Sequence, residues 1–310
     1  MPPTPIVAVV GATASGKSDL ALDLAEALDG EIVNTDAMAV YRGMDVGTAK
    51  LPVAERRGIP HHLLDLLDVS ESLTVALFQQ WARSAIADLR ARAKVPVLVG
   101  GSALYTRAVI DRFEFPGTDE EVRRGLEADL STWGPEVLHQ RLTQVDPVAA
   151  GNIRADNGRR VVRALEVVEI TGRPFSATLP RLEYADPHTV QVGVDIDRPT
   201  LVERITRRVE AMFETGFVAE VERLLAAGLR EGRTASLAIG YREVTAYLDG
   251  ELSLDEARER TVVVTRRFAR RQYSWYRKDP RIVWVRYDDP ERVGQALAAV
   301  GRWPGGPTDG

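Results

Sequence analysis

Cysteine is absent from the 310 residues. That excludes a disulfide scaffold, a thiolate nucleophile and any cysteine-ligated zinc site. Long hydrophobic runs are missing too. The longest, such as those at 6–10 and 95–99, fall far short of the roughly 20 residues a membrane-spanning helix needs. A global excess of positive charge is also lacking, since 40 Lys and Arg face 45 Asp and Glu for a net −5. Overall charge therefore gives no sign of nucleic acid. Residues 1–5 hold no basic residue, so no secretory leader is expected and a cytoplasmic protein is. What is present is ordinary: 45% hydrophobic and 27% charged residues exclude global disorder. At roughly 100–200 residues per domain, the length suggests about two domains.

The first hundred residues alternate strand and helix signals. Short β-branched runs at 6–10, 31–35 and 95–99 are separated by helical periodicity at 18–28 and 74–92. This predicts an α/β fold with a parallel sheet and helices on its faces. The pattern changes near Phe115-Pro116-Gly117, and residues 118–171 carry helix signals without a strand. Gly172 and Pro174 stop the helix expected at 159–171. Strand character returns at 190–196, a long helical stretch from Pro199 to about 227 breaks near Gly216, and a helix at 254–276 precedes a strand at 282–286. The expected organisation is a core of residues 1–115 and 189–300, a helical insertion at 116–188, and a Gly- and Pro-rich disordered tail at 301–310.

The strongest motif is Gly11-Ala12-Thr13-Ala14-Ser15-Gly16-Lys17-Ser18, the G-x-x-x-x-G-K-[ST] pattern between a strand and a helix. Its glycines let the backbone wrap a phosphate chain, and its amides and the helix N-terminus point at that anion. Lys17 adds a point charge, and Ser18 is placed to ligate Mg²⁺. Asp36 follows the second strand, at the sheet edge where open α/β sheets bind ligands. It is either a general base, or else a helix N-cap or a loop carboxylate. Ser102 follows the strand ending at Gly100-Gly101, as a helix cap or a hydroxyl donor to substrate. Arg204 and Arg208 share a helix face, where they clamp a leaving phosphate or form a solvated face. His61 and His62 are adjacent and point apart, so packing is a better reading than a metal pair.

Charge distribution adds what net charge conceals. Residues 258–281 carry nine Arg and Lys against two acids, with Phe268, Tyr273, Trp275 and Tyr276 interleaved. Residues 154–181 carry six Arg against three acids. Basic and aromatic side chains together suit a nucleic acid, through phosphate neutralisation and base stacking. A solvated helix face is the alternative for either stretch. Arg159, Arg160, Arg163, Arg270 and Arg271 are the candidate contacts.

Taken in order, the motifs resemble the bacterial tRNA dimethylallyltransferases. The likeness runs through the segments 11–18, 36–50, 61–65, 99–105, 157–172, 238–243 and 266–277. It implies a P-loop kinase-like core with a helical insertion that grips the tRNA anticodon arm. It also implies transfer of a dimethylallyl group from its diphosphate to N6 of the adenosine immediately 3′ of the anticodon, in tRNAs reading codons that begin with U. In such enzymes the P-loop holds the prenyl diphosphate, although the chains are often labelled ATP-binding. The resemblance makes Asp36 the general base, and it extends tRNA contact to Asp36, Ala37, Met38, Ala39, Ser102 and Arg123. Ala12 replaces a usual proline, Ser102 a commoner threonine, and Ala37 and Ala39 a frequent serine and glutamine. A monomer is expected. Without the resemblance, an ATP-dependent small-molecule P-loop kinase would suit the P-loop and the Arg-bearing helix equally well.

Overall fold

The computed structural model describes residues 4–113, 115–178 and 182–302. The chain divides into two compact units, residues 1–110 with 186–310 and residues 111–185. The junctions lie slightly earlier than the expected 116 and 188. Asp111 bridges antiparallel to Tyr184, and the Arg112 amide donates to Glu183, so both strands of the connection belong to the second unit.

The first unit is built on one six-stranded parallel sheet: β1 (Ile6–Val10), β2 (Gly30–Asn34), β3 (His61–His62), β4 (Val95–Val99), β5 (Thr189–Asp195) and β6 (Ile282–Arg286). Its order is β3-β2-β4-β1-β5-β6. From β1 the chain passes to β2 and the edge strand β3, returns to β4 between β2 and β1, and then crosses to β5 and β6 on the other side. In open parallel sheets ligands bind at the carboxyl ends of the strands. Helices α1 (Lys17–Ala27), α2 (Val75–Ala91) and α3 (Ala103–Ile110) follow or precede these strands, as the alternating sequence predicts. Val7, Val9, Leu20, Leu24, Ile32 and Val97 fill the central core. β1 is buried along its whole length, which is why it reads as a continuous apolar run.

The second unit contains α4 (Glu120–Val145), α5 (Pro147–Asn152) and α6 (Gly158–Thr171). Gly134 (φ 77°) and Pro135 kink α4, because a left-handed residue and a missing amide both interrupt the helical ladder. Leu126, Leu138, Leu142, Val161 and Leu165 form its separate core. Gly172 closes α6 in the left-handed conformation, the stop its sequence announced.

The chain then returns to the first unit with α7 (Arg198–Glu214), α8 (Phe217–Ala226), α9 (Tyr241–Leu248), α10 (Leu254–Tyr276) and α11 (Arg292–Gly301). Gly216 (φ 101°) makes the expected break between α7 and α8. The sequence reading passed over α9, α11 and the two-residue β3. The helices are short, and β3 is an edge strand fixed by pairing with β2. Gly301 closes α11, and the rest of the tail expected to be disordered, 303–310, lies outside the described residues.

Candidate active site

Three strand ends deliver the site. After β1, residues 11–16 form a tight loop that enters α1 at Gly16, whose φ of 95° favours glycine. Ala14 also adopts a positive φ, 62°, a cost of about 1–2 kcal/mol for an alanine that the loop accepts. Lys17 is buried, and its Nζ donates to the Ala12 carbonyl at 2.5 Å. Burial, helped by Arg208 and opposed by Asp36, brings its pKa down to about 7. Ser18 is exposed on the first turn of α1, and its hydroxyl has no hydrogen bond among the described residues.

After β2, Asn34 organises a turn. Its side-chain carbonyl accepts the Asp36 amide at 2.9 Å, and its amide donates to the carbonyls of Asp36 and Leu63. Asp36 Oδ1 then accepts the Met38 amide at 2.9 Å, just before the short turn at Met38–Val40, whose N-cap residue is Ala37. Asp36 is thus a loop carboxylate and not the N-cap residue, and it lines a cavity of about 150 Å³ with Lys17. Burial raises the Asp36 pKa, against the backbone amides and Lys17. Ala37 and Ala39 are buried, so neither offers a side chain to solvent, while Met38 is half-buried.

After β4, Gly100 and Gly101 allow very close packing. A Cβ on Gly100 would lie 2.3 Å from Thr35 Oγ1, and one on Gly101 2.3 Å from Gln272 Nε2. Ser102 follows at the start of α3 and gives its backbone carbonyl to the Thr106 amide. Its hydroxyl makes no hydrogen bond among the described residues, so the side-chain cap expected as one alternative does not form.

Two arginines of α7 approach the loop. Arg208 Nη1 reaches Thr13 Oγ1 at 3.5 Å and lines the cavity. The protein around it, together with Arg204, lowers its pKa, although Asp19 opposes the shift. Arg204 stacks on Tyr287 at 4.6 Å and lines a neighbouring depression with Gly16 and Arg208. Leu22, Ile32, Leu51, Leu64, Val99 and Phe268 give the cavity an apolar wall. A larger groove, about 740 Å³, runs along α7 and α10 with Arg198, Arg267 and Arg270 on its sides.

Several participants escaped sequence reasoning. Glu220 of α8 is buried and accepts the amides of Asp45, Val46 and Gly47 at 3.1, 2.7 and 3.1 Å. Tyr241 donates to it at 2.6 Å, and burial beside Glu220 raises the tyrosine pKa. This explains why the 36–50 and 238–243 motifs occur together: they meet in space. The loop so held carries Lys50, whose ammonium joins Asp45 and Asp65, both at 2.6 Å, beside the cavity. His61 also faces the cavity, whereas His62 bonds Glu31 at 2.7 Å, and no group of three or more His, Asp or Glu could hold a metal among the described residues.

The expected RNA-contact arginines fall into two classes. Arg159, Arg160, Arg270 and Arg271 are exposed and have no ion pair among the described residues. Arg123 and Arg163 instead hold the fully buried Glu166 at 2.6 and 2.7 Å. Arg163 also donates to the Pro116 and Gly117 carbonyls.

Comparison with known proteins agrees with this geometry. A family model described as IPP transferase matches residues 39–279. A tRNA dimethylallyltransferase of a Nocardioides species is 73% identical over 297 residues, covering 96% of each chain. The solved tRNA isopentenylpyrophosphate transferase of Bacillus halodurans is 38% identical, with a TM-score of 0.69 and coverage of 95% of this chain and 97% of that one. A eukaryotic dimethylallyltransferase seen acting on tRNA is 27% identical, with a TM-score of 0.82 and coverage of 96% and 78%. The P-loop kinase-like core is shared with these transferases. With a family model across most of the chain and a relative matched nearly end to end, this chain belongs to the tRNA dimethylallyltransferase family, the IPP transferases.

Proposed function

We infer that this chain transfers a dimethylallyl group from dimethylallyl diphosphate to N6 of the adenosine 3′ of the anticodon, in tRNAs reading codons that begin with U. The observation that carries this reading is one cavity joining an anion loop, the half-buried Asp36 carboxylate and an apolar wall. The adenine amine attacks C1 of the allyl chain, a C–N bond forms, and the C–O bond to diphosphate breaks. Asp36 takes the amine proton, a role its raised pKa suits. The loop amides, Lys17 and Arg208 receive the charge that grows on the leaving group. A bound dianion favours the charged form of Lys17 and restores a full ammonium at the loop. The base must leave its stack to be reached, and the Ser102 hydroxyl is free to bond it.

Mg²⁺ fits the loop. The ion keeps waters and borrows phosphate oxygens, so it asks for few protein ligands. The exposed Ser18 hydroxyl would be one of them, and the ion would neutralise diphosphate charge. Exposed Arg159, Arg160, Arg270 and Arg271 would meet tRNA phosphates, and residues 37–39 would contribute backbone groups. Arg123 and Arg163 would support the helix that carries Arg159 and Arg160 through Glu166. No helix among the described residues is long and apolar enough to cross a membrane, and a tRNA substrate supports a cytoplasmic location. A monomer would suffice for the transfer, since Lys17, Asp36 and Arg208 of the same chain line one cavity.

The test is incubation with unmodified tRNA, Mg²⁺ and radiolabelled dimethylallyl diphosphate. Label should enter tRNA, and Lys17→Ala should reduce transfer by about 10²–10³-fold. Phosphoryl transfer from ATP in place of prenyl transfer would support the kinase reading instead.

A further inference from the structure

Gln272 touches both loops that the reaction must bring together. It lies near the end of α10 and is 5% exposed. Its side-chain carbonyl accepts the Thr13 amide at 2.9 Å, and its side-chain amide donates to the Gly101 carbonyl at 2.7 Å. A backbone amide only donates and a backbone carbonyl only accepts, so both ends of the glutamine are committed in one orientation. The fit is tight: a Cβ at residue 101 would lie 2.3 Å from Gln272 Nε2 and would displace the side-chain amide. The Thr13 amide is thereby held by the helix and not by the anion. On the same face of α10, one turn to either side, Phe268 lines the cavity and Tyr276 is buried. Arg267, Arg270 and Arg271 remain exposed. The helix therefore presents charge outward and one polar strut inward.

We propose that Gln272 is a positioning residue that sets the spacing between the anion loop and the Gly100–Ser102 loop, and so between the donor carbon and the acceptor amine. This rests on the transfer reading of the same site. Reacting atoms must approach to about 3–3.5 Å, and a displacement of about 1 Å can cost about 10²-fold in rate. Neither loop is otherwise fixed to the other by the parallel strands alone, because each begins where its ladder ends.

Two variants separate positioning from packing. Gln272→Met keeps length and removes both bonds. Gln272→Glu keeps the bond from Thr13 and sets a carboxylate against the Gly101 carbonyl until the acid protonates. In single-turnover transfer at saturating substrates, Gln272→Met should be about 10²-fold slower, with donor and tRNA dissociation constants changing far less. Measured against wild type at each pH, Gln272→Glu should regain rate as pH falls from about 8.5 to about 6, while the Gln272→Met deficit stays flat. A full rate in Gln272→Met, or a pH-independent deficit in Gln272→Glu, would overturn the proposal. So would loss of a cooperative thermal transition in both variants, which would make the residue a packing element. A wild type that transfers no prenyl group overturns the underlying reading. A wild type that does so beside an unaffected Gln272→Met overturns the positioning role alone.

Discussion

The anion-loop cavity and the helical unit treat buried charge in opposite ways. In the helical unit, burial would raise the Glu166 pKa, yet the bonds from Arg123 and Arg163 outweigh it and hold the group below the ordinary carboxylate range. That charge is neutralised inside the protein. In the cavity, burial wins for both Lys17 and Asp36, so the lysine titrates low and the carboxylate high. Those charges are left for something other than the protein to satisfy. A satisfied buried ion is a structural element, whereas a displaced pKa beside a cavity marks chemistry. Sequence composition cannot make this distinction, since both regions show the same residue types.

The sharpest break in the comparison is at Asp36. Asp36→Asn keeps shape and one acceptor oxygen but cannot take a proton, so single-turnover transfer should slow by about 10²–10⁴-fold. The wild-type rate should rise with pH through a value above the ordinary carboxylate range, because only the ionised form accepts the proton, and the variant should lose that limb. Donor affinity should move the other way. In the free enzyme Lys17 loses its charge as pH climbs through about 7, so donor dissociation constants should rise above it. A transfer rate unchanged in Asp36→Asn, with weaker tRNA binding, would reduce Asp36 to its hydrogen bond with the Met38 amide.

Smaller effects belong to the helical unit. Glu166→Ala leaves two arginines, one 36% and one 28% exposed, without their shared partner. Because both reach solvent, the loss should be about 2 kcal/mol, below the range for wholly buried pairs. Thermal unfolding reads it, and an unchanged midpoint would deny Glu166 its structural role. The smallest energetic change is at the free arginines. Arg159→Ala with Arg160→Ala should weaken tRNA binding and flatten its log–log salt dependence by about 1.5. Arg123→Ala should lower the melting temperature and leave that slope nearly intact. The reverse pattern would exchange the two classes of arginine.

Much of the site was legible because its constraints are local. Gly16 must take a positive φ, Lys17 and Ser18 must open a helix after a strand, and the motif at 11–18 encodes all of this within eight positions. The break at Gly216 and the stop at Gly172 were legible for the same reason, since each depends on one residue's backbone freedom. Glu220 and Gln272 were not. One is a single acid on an amphipathic helix, and the other a neutral polar residue in a run of arginines. Their backbone partners lie more than 170 residues away.

The sequence by itself determined the alternating α/β core, the phosphate loop and the helical insertion, because hydrophobic period and glycine placement act over a few residues. Only the tertiary structure decided which charges are spent and which are kept. Arg123 and Arg159 look alike in a charge count, yet one is closed on a buried carboxylate and the other faces water. It also decided that Asp36 and Lys17 share one cavity while Asp195, at the end of β5, is closed by Arg277. Electrostatic roles depend on burial and on partners brought together by strand order, and neither is a property of neighbouring residues in the chain.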